Sequence, residues 1–423
     1  MTVIALMVVL SQNSVIVQQG RARDGGVPWA VAIAGAQTVA FEDYAKSAFG
    51  VARVVSPYTL ADITTVSGFD TTDTFATNLD GGSVTYQTNE SSVVLKGPYA
   101  ALRTNDQYRY QAGKGQRVLQ TGGVPTALDA GVYRWGLFDD SDGLFWQASN
   151  AGLQFVVRSS TDGGVSETTY AVDAGVSWVP SNESIWEIRF QWLGVGWVDG
   201  YLNGDRVFSH SHANALPFPY MKTAFLPLSW DVRSTGATDA QLKFTCASVQ
   251  SEGGSDPSAT PFSITRPTDL SITGNATDIP VLALRPAATF SSKVNRSQIM
   301  PFHFWCVADS KRVRVRVLLN PSTLTSAAFT AVNSLSAAEF DVTATGLTGG
   351  TELNSFAVPS GGFTDHPATG TYSETRRHMR RKAFSAPTGA GLETGLDTVV
   401  LAVTNPGNGN ATVNCGVEFS EIR

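Results

Sequence analysis

The feature that most restricts this chain is an apolar period of two. Ile185-Trp-Glu-Ile-Arg-Phe-Gln-Trp192 sets Trp186, Ile188, Phe190 and Trp192 on one side, with Glu187, Arg189 and Gln191 on the other. Successive side chains of an extended chain point to opposite faces, so this alternation predicts a half-buried antiparallel strand. Arg312–Val317 and Val413–Phe419 alternate as regularly. Turn signals punctuate such runs at Asp80-Gly-Gly82, Asp142-Gly143, Asp162-Gly-Gly164, Asn203-Gly204 and Gly349-Gly350. Asn203-Gly204 is the strongest, because a type I′ hairpin turn needs positive φ at both positions. Helical spacing is confined to Phe41–Val54 and Ser334–Phe340. The pattern predicts an all-β fold: two β-sandwich or jelly-roll domains with an extended N-terminal arm.

A length of 423 residues agrees with two or three domains. The polar, Gly/Ser/Pro-rich stretch Ser251–Pro261 has the composition of a connection. The resulting division is an N-terminal assembly and attachment arm over 1–60 and a Trp-rich, lectin-like sandwich over 61–250. A linker over 251–265 and a second sandwich over 266–423 complete it. Only 16% of residues are charged against 42% hydrophobic, which excludes a disordered chain, and a net charge of −6 gives no general attraction to nucleic acid or anionic membrane. Met1–Gly20 carries no charged side chain, and its apolar run Val3–Leu10 is far shorter than the roughly 20 residues of a membrane span. It also lacks the basic flank of a secretory leader. The expectation is an arm that packs on a neighbouring subunit through Val3, Leu6 and Leu10, without membrane insertion.

Residue types that can carry chemistry are few. His210 and His212 stand two apart, where a strand would turn both imidazoles to one side, but no nearby carboxylate completes a metal site. Asp139-Asp140-Ser-Asp142-Gly143 lies between apolar runs and reads as the acidic, solvated tip of a hairpin, with the wrong spacing for an EF-hand. Trp197 follows Gly194-Val-Gly196 with Asp199 close by, a position expected at a sheet end. Aromatic faces stack on sugar rings and carboxylates accept hydroxyl hydrogen bonds, so Trp197, Asp199, Asp139, Asp140 and Asp142 are the candidate glycan contacts. Arg312, Arg314 and Arg316 share one strand face, and Arg376, Arg377, Arg380 and Arg381 form a basic run; both are candidate subunit interfaces. Cys246, Cys306 and Cys415 are widely spaced and read as small buried hydrophobes. No nucleophile–base motif, metalloprotease helix, P-loop or dinucleotide fingerprint occurs, so no enzyme activity and no cofactor are expected.

Several strings occur in a shared order: Asn89-Glu-Ser-Ser-Val-Val-Leu95, Arg109-Tyr-Gln-Ala-Gly-Lys-Gly-Gln116 and Gly136-Leu-Phe-Asp-Asp-Ser-Asp-Gly-Leu-Phe145. Phe190-Gln-Trp-Leu-Gly-Val-Gly196, His212-Ala-Asn214, Tyr220–Leu228, Pro280–Arg285 and Lys293-Val-Asn-Arg296 continue the series. Taken together, over roughly residues 85–320, the chain resembles β-rich structural proteins of tailed bacteriophage virions, of the tail, collar or head-attached, sheath- or spike-like kind. The resemblance implies a non-enzymatic virion protein made in the bacterial cytoplasm. Its partners would be copies of itself and other tail, portal, collar or capsid proteins, together with a host surface glycan, and not nucleic acid. The alternative is a carbohydrate-binding receptor adhesin, or, further off, a polysaccharide depolymerase.

Overall fold

Alternation along the chain becomes strand in space. In the computed structural model, residues 57–68, 74–79, 81–104, 106–173, 175, 177–234, 240–253, 259–367 and 397–422 are described, all within one unit, Lys46–Arg423. Apart from a 3-10 turn at Leu128–Ala130, every regular element among them is a strand. The fold is all-β.

The first sandwich contains β1 (Tyr58–Thr64), β2 (Thr74–Leu79), β3 (Ser83–Gln87), β4 (Ser92–Lys96) and β5 (Tyr99–Thr104). Next come β6 (Gly115–Gly123), β7 (Val132–Phe138), β8 (Gly143–Ser149), β9 (Gly152–Ser159) and β10 (Ser166–Ala171). It ends with β11 (Ser184–Phe190), β12 (Trp197–Leu202), β13 (Asp205–Ser211), β14 (Leu228–Arg233) and β15 (Gln241–Glu252). The larger sheet runs β13-β12-β11-β6-β15-β4-β3, with β1 also on β15; the facing sheet runs β10-β9-β8-β7-β14-β5-β2. Between them lies an aromatic core. Trp186 meets Trp135, Trp146 and Trp178 at 4.8, 5.4 and 5.5 Å between ring centroids, and Trp230 stacks on Phe244 at 4.2 Å. Trp186, Ile188 and Phe190 are buried, as their alternation requires. Each such side chain contributes about 1.5–3 kcal/mol by leaving water.

The second sandwich starts with β16 (Thr260–Thr265), β17 (Leu270–Ile272), β18 (Ile279–Pro286), β19 (Thr289–Phe290), β20 (Lys293–Val294) and β21 (Gln298–Ala308). It continues with β22 (Val313–Leu319), β23 (Thr323–Thr325), β24 (Thr330–Ala331), β25 (Ala338–Asp341) and β26 (Gly346–Thr348). The last four are β27 (Thr351–Val358), β28 (Gly362–Pro367), β29 (Val399–Thr404) and β30 (Ala411–Ile422). One sheet is β16-β30-β21-β28 with β17 on β30, the other β24-β25-β18-β29-β22-β27. This core is aliphatic: Val313, Val315 and Val317 face Val413, Val417 and Phe419 in one buried cluster.

Four sequence expectations change. Ser334–Phe340 is no helix. Asn333 Oδ1 accepts Leu335 N–H at 2.8 Å and the buried Glu421 carboxylate accepts Ala337 N–H at 3.0 Å, so the donors a helix would use are taken by a turn that leads into β25. Within the 251–265 linker, Thr260–Thr265 is a strand paired with β30, because Phe262 packs on Phe419 at 5.7 Å and Ile264 is buried. Tyr58–Leu60, assigned to the arm, already belong to β1, whose Leu60, Ala61 and Ile63 pack on the first core. Of the cysteines, Cys306 and Cys415 are buried register partners on β21 and β30 joined by a disulfide, whereas Cys246 is exposed. The candidate helix Phe41–Val54, the arm residues Val3, Leu6 and Leu10, and the run Arg376, Arg377, Arg380 and Arg381 lie outside the described residues.

Candidate functional site

On β12 the inward side chains Val198 and Leu202 are buried, which turns Trp197, Asp199 and Tyr201 to the outer face of the larger sheet. Trp197 is 48% exposed. Register builds a cluster around them. Asp199 stands opposite Arg189 on β11 and Ser209 on β13, Tyr201 opposite Glu187 and Arg206, and Arg189 opposite Arg117 on β6. The Ser209 hydroxyl donates to Asp199 Oδ1 at 2.6 Å. The Arg189 guanidinium lies 4.2 Å from the Tyr201 ring centroid, a cation–π contact. Beneath them Glu187, only 4% exposed, accepts from Arg189 Nε and from both Nε and Nη2 of Arg117, the last at 3.1 Å.

The backbone under this face is pinned. Asn203 and Gly204 both take positive φ, 52° and 96°, and close the β12–β13 hairpin with the predicted turn. A Cβ on Gly196 would fall 1.9 Å from the Gln191 carbonyl oxygen, so only glycine lets the chain turn into Trp197 there. The Gly196 carbonyl accepts the His212 backbone N–H and lies 3.2 Å from His212 Nδ1. Trp192 Nε1 donates to Met221 O at 3.0 Å, fastening the β11–β12 turn to the loop after β13.

Electrostatics follow from the packing. Burial pushes the Glu187 carboxyl up, but hydrogen bonds and charge from Arg117 and Arg189 outweigh it and hold it below the ordinary range. Burial likewise pulls Arg189 down, and Glu187 reverses it. Desolvation pushes the Tyr201 hydroxyl up. Glu187 therefore stays a carboxylate at any physiological pH.

The acidic hairpin tip is a different place from the one its composition suggests. Asp139 and Asp142 are 5% and 1% exposed. Asp140 is held bidentately by the fully buried Arg103 at 2.9 and 3.0 Å. Asp139 Oδ1 accepts the N–H groups of Ser141 and Asp142, and Asp139 Oδ2 accepts Arg296 of the second sandwich at 2.8 Å. Asp142 accepts Ser160 and Lys222 N–H. Each of these carboxylates already has partners inside the chain, with Asp139 and Asp142 buried and Asp140 partly exposed. His212 is buried and His210 half-buried: their rings meet edge-on at 4.6 Å in an aromatic ladder from Tyr170 to Tyr220, which stacks on His212 at 4.0 Å. Burial lowers the His212 pKa to about 4. On the second sandwich, Arg316 binds Glu352 at 2.7 Å and Asp278 at 2.5 Å, and Arg314 shares Glu352 at 3.3 Å; Arg312 is exposed just before β22. Arg117, Glu187, Arg189 and Tyr201 were missed as site residues, although alternation along 185–192 and 197–202 already groups Glu187 with Arg189 and Tyr201 with Trp197.

No family model matches the sequence, and no curated protein matches it by sequence. By structure the chain is similar to an endo-1,3-beta-glucanase from Streptomyces sioyaensis, at 12% identity over 48% of this chain and 98% of that one, with a TM-score of 0.34. An endo-beta-1,4-glucuronan lyase from Trichoderma reesei follows at 10% identity over 42% and 90%, TM-score 0.32. The Emp47p carbohydrate recognition domain is 10% identical over 46% and 94%, with a TM-score of 0.32.

Proposed function

We propose that this chain is a non-enzymatic carbohydrate-binding protein, a receptor adhesin whose first sandwich takes glycan on the outer face of its larger sheet. The observation that carries the reading is the half-exposed Trp197 on a pinned strand, beside Asp199, Tyr201 and Arg189. An indole face covers the C–H groups of a sugar ring, while the carboxylate and guanidinium meet its hydroxyls. Glycoside hydrolysis needs one carboxyl kept protonated beside an ionised one, and Glu187 is held ionised by two arginines. The setting we propose is the surface of a phage particle, with copies of the chain and other virion proteins as partners; what supports it is the ordered series of strings from Asn89 to Arg296.

Glycan-array screening of the full chain, followed by calorimetric titration with the best oligosaccharide, tests this. Trp197→Ala should weaken binding at least about tenfold, or about 1.4 kcal/mol, with an unchanged circular dichroism spectrum. Unchanged affinity in that variant removes the site. Release of new reducing or unsaturated ends by the wild-type protein reverses the non-enzymatic assignment.

A further inference from the structure

We propose that the sugar recognised at this face is acidic, a uronic-acid residue whose carboxylate docks on Arg189; this rests on the glycan reading above. Arg189 is a prepared fork. Its Nε is fixed by Glu187 and its plane lies against Tyr201, while neither Nη makes a hydrogen bond among the described residues. Two coplanar N–H donors held this way match the two oxygens of a carboxylate, and little side-chain freedom is left to lose on binding. Arg206, exposed opposite Tyr201, and Nη1 of Arg117, which has no hydrogen-bond partner among the described residues, extend the donor surface.

Glu187 and Glu252 act on the charge of Arg189, but neither accepts a hydrogen bond from its Nη groups. Glu187 lies buried under the two guanidiniums it neutralises in part, and Glu252 is 8% exposed. Asp199 already accepts the Ser209 hydroxyl and keeps a second oxygen for a sugar hydroxyl. Trp197 is diagonal to Arg189 across β11 and β12, a spacing of about 7–8 Å between Cα positions, so one sugar ring on the indole brings its own or its neighbour's carboxylate over the fork.

The experiment is a titration of the full chain with oligogalacturonate, oligoguluronate, oligoglucuronate and their carboxyl-reduced counterparts, which keep linkage and length but lose charge. At least one oligouronate should bind at least about tenfold tighter than its reduced form, and the difference should shrink between 50 mM and 500 mM salt. Arg189→Gln should erase the difference, and Arg189→Lys should restore part of it. Arg206→Gln, at an exposed position, should reduce it without altering thermal stability, which keeps the test valid if the Arg189 variants fold poorly. Equal binding of oligouronates and reduced forms overturns the acidic assignment and leaves the glycan reading standing. Failure of every acidic and neutral oligosaccharide, on the array and in titration, overturns both.

Discussion

Two stretches of the first sandwich look alike in sequence: Asp139–Asp142 between aromatic runs, and Trp197–Asp199 beside a Gly-rich turn. In space they are opposites. The first is roofed by Arg103, Arg158 and Arg296, drawn from β5, β9 and the second sandwich. The second keeps its indole half in water and leaves the Arg189 Nη groups without a hydrogen bond among the described residues. What separates them is the distance in sequence at which charge is satisfied. Asp139 meets a partner 157 residues away, and Asp142 an N–H 80 residues away. Around Trp197 the partners of Asp199 and Tyr201 lie on the sequence-adjacent strands β11 and β13 and face outward, and the long-range contact, Arg117 from β6, closes over the buried Glu187 instead. Local composition therefore marks where polar groups are, and long-range pairing decides which remain free for a ligand.

The comparison breaks most visibly at Arg296. Its Nη1 donates to Asp139 Oδ2 at 2.8 Å, to Phe225 O at 3.2 Å and to Gln107 Oε1 at 3.5 Å, and Gln298 Nε2 reaches Gln107 O at 2.8 Å beside it. Arg296→Ala removes the charge partner of a buried carboxylate and should cost about 3 kcal/mol. Because these bonds join the two sandwiches, calorimetry should resolve two transitions in the variant against one in the wild type. Trp197→Ala, at a half-exposed site, should leave the unfolding profile nearly in place. An unaltered melt for Arg296→Ala would mean the tip is not held from the second sandwich.

His212 sharpens the comparison from behind the open face. In the folded chain it resists protonation down to about 4, whereas an unfolded histidine takes a proton near 6.5. Between those values the unfolded state binds more protons, so stability falls as pH drops through the window, by at most about 3 kcal/mol for this one group. His212→Phe keeps a ring against Tyr220 and loses the contact to Gly196 O. It should cost about 1 kcal/mol at neutral pH and flatten the decline between pH 6.5 and 4, measured as urea midpoints of variant and wild type. A parallel decline in both proteins would show that the ring is not desolvated in solution.

Much of this was legible in the sequence. Alternation gave the inward faces of β11, β22 and β30, and Asn203-Gly204 marked the β12–β13 turn, although a bulge between Gly200 and Tyr201 shifts the register beyond it. Alternation along β12 puts Tyr201 on the face of Trp197 and Asp199. The burial of Glu187 was not legible, since nothing local says that Arg117, 70 residues earlier, closes over it. The Cys306–Cys415 pairing was hidden for the same reason: their adjacency comes from the β21–β30 register, 109 residues apart in the chain. The turn at Asn333–Ala337 failed as a helix because its decisive acceptor, Glu421, stands at the far end of the chain.

The smallest effect is expected where the sequence marked three arginines as a subunit interface. Arg314 and Arg316 already spend their charge within the chain, on Glu352 and Asp278. All four groups remain partly in water, so each pair is screened and contributes at most about 1 kcal/mol. By the logic that separates Asp139 from Asp199, an arginine whose charge is already paired within its own chain gains less from a neighbour's carboxylate. Arg316→Ala should therefore lower stability by about 0.5–1 kcal/mol and leave the sedimentation profile of the purified protein unchanged. Arg312, exposed just before β22, is the internal control, and Arg312→Ala should change neither quantity. If Arg316→Ala instead shifts the protein to a smaller species at equal concentration, the row serves association after all. Intramolecular satisfaction would then be too weak a criterion to tell a closed charge cluster from an open one.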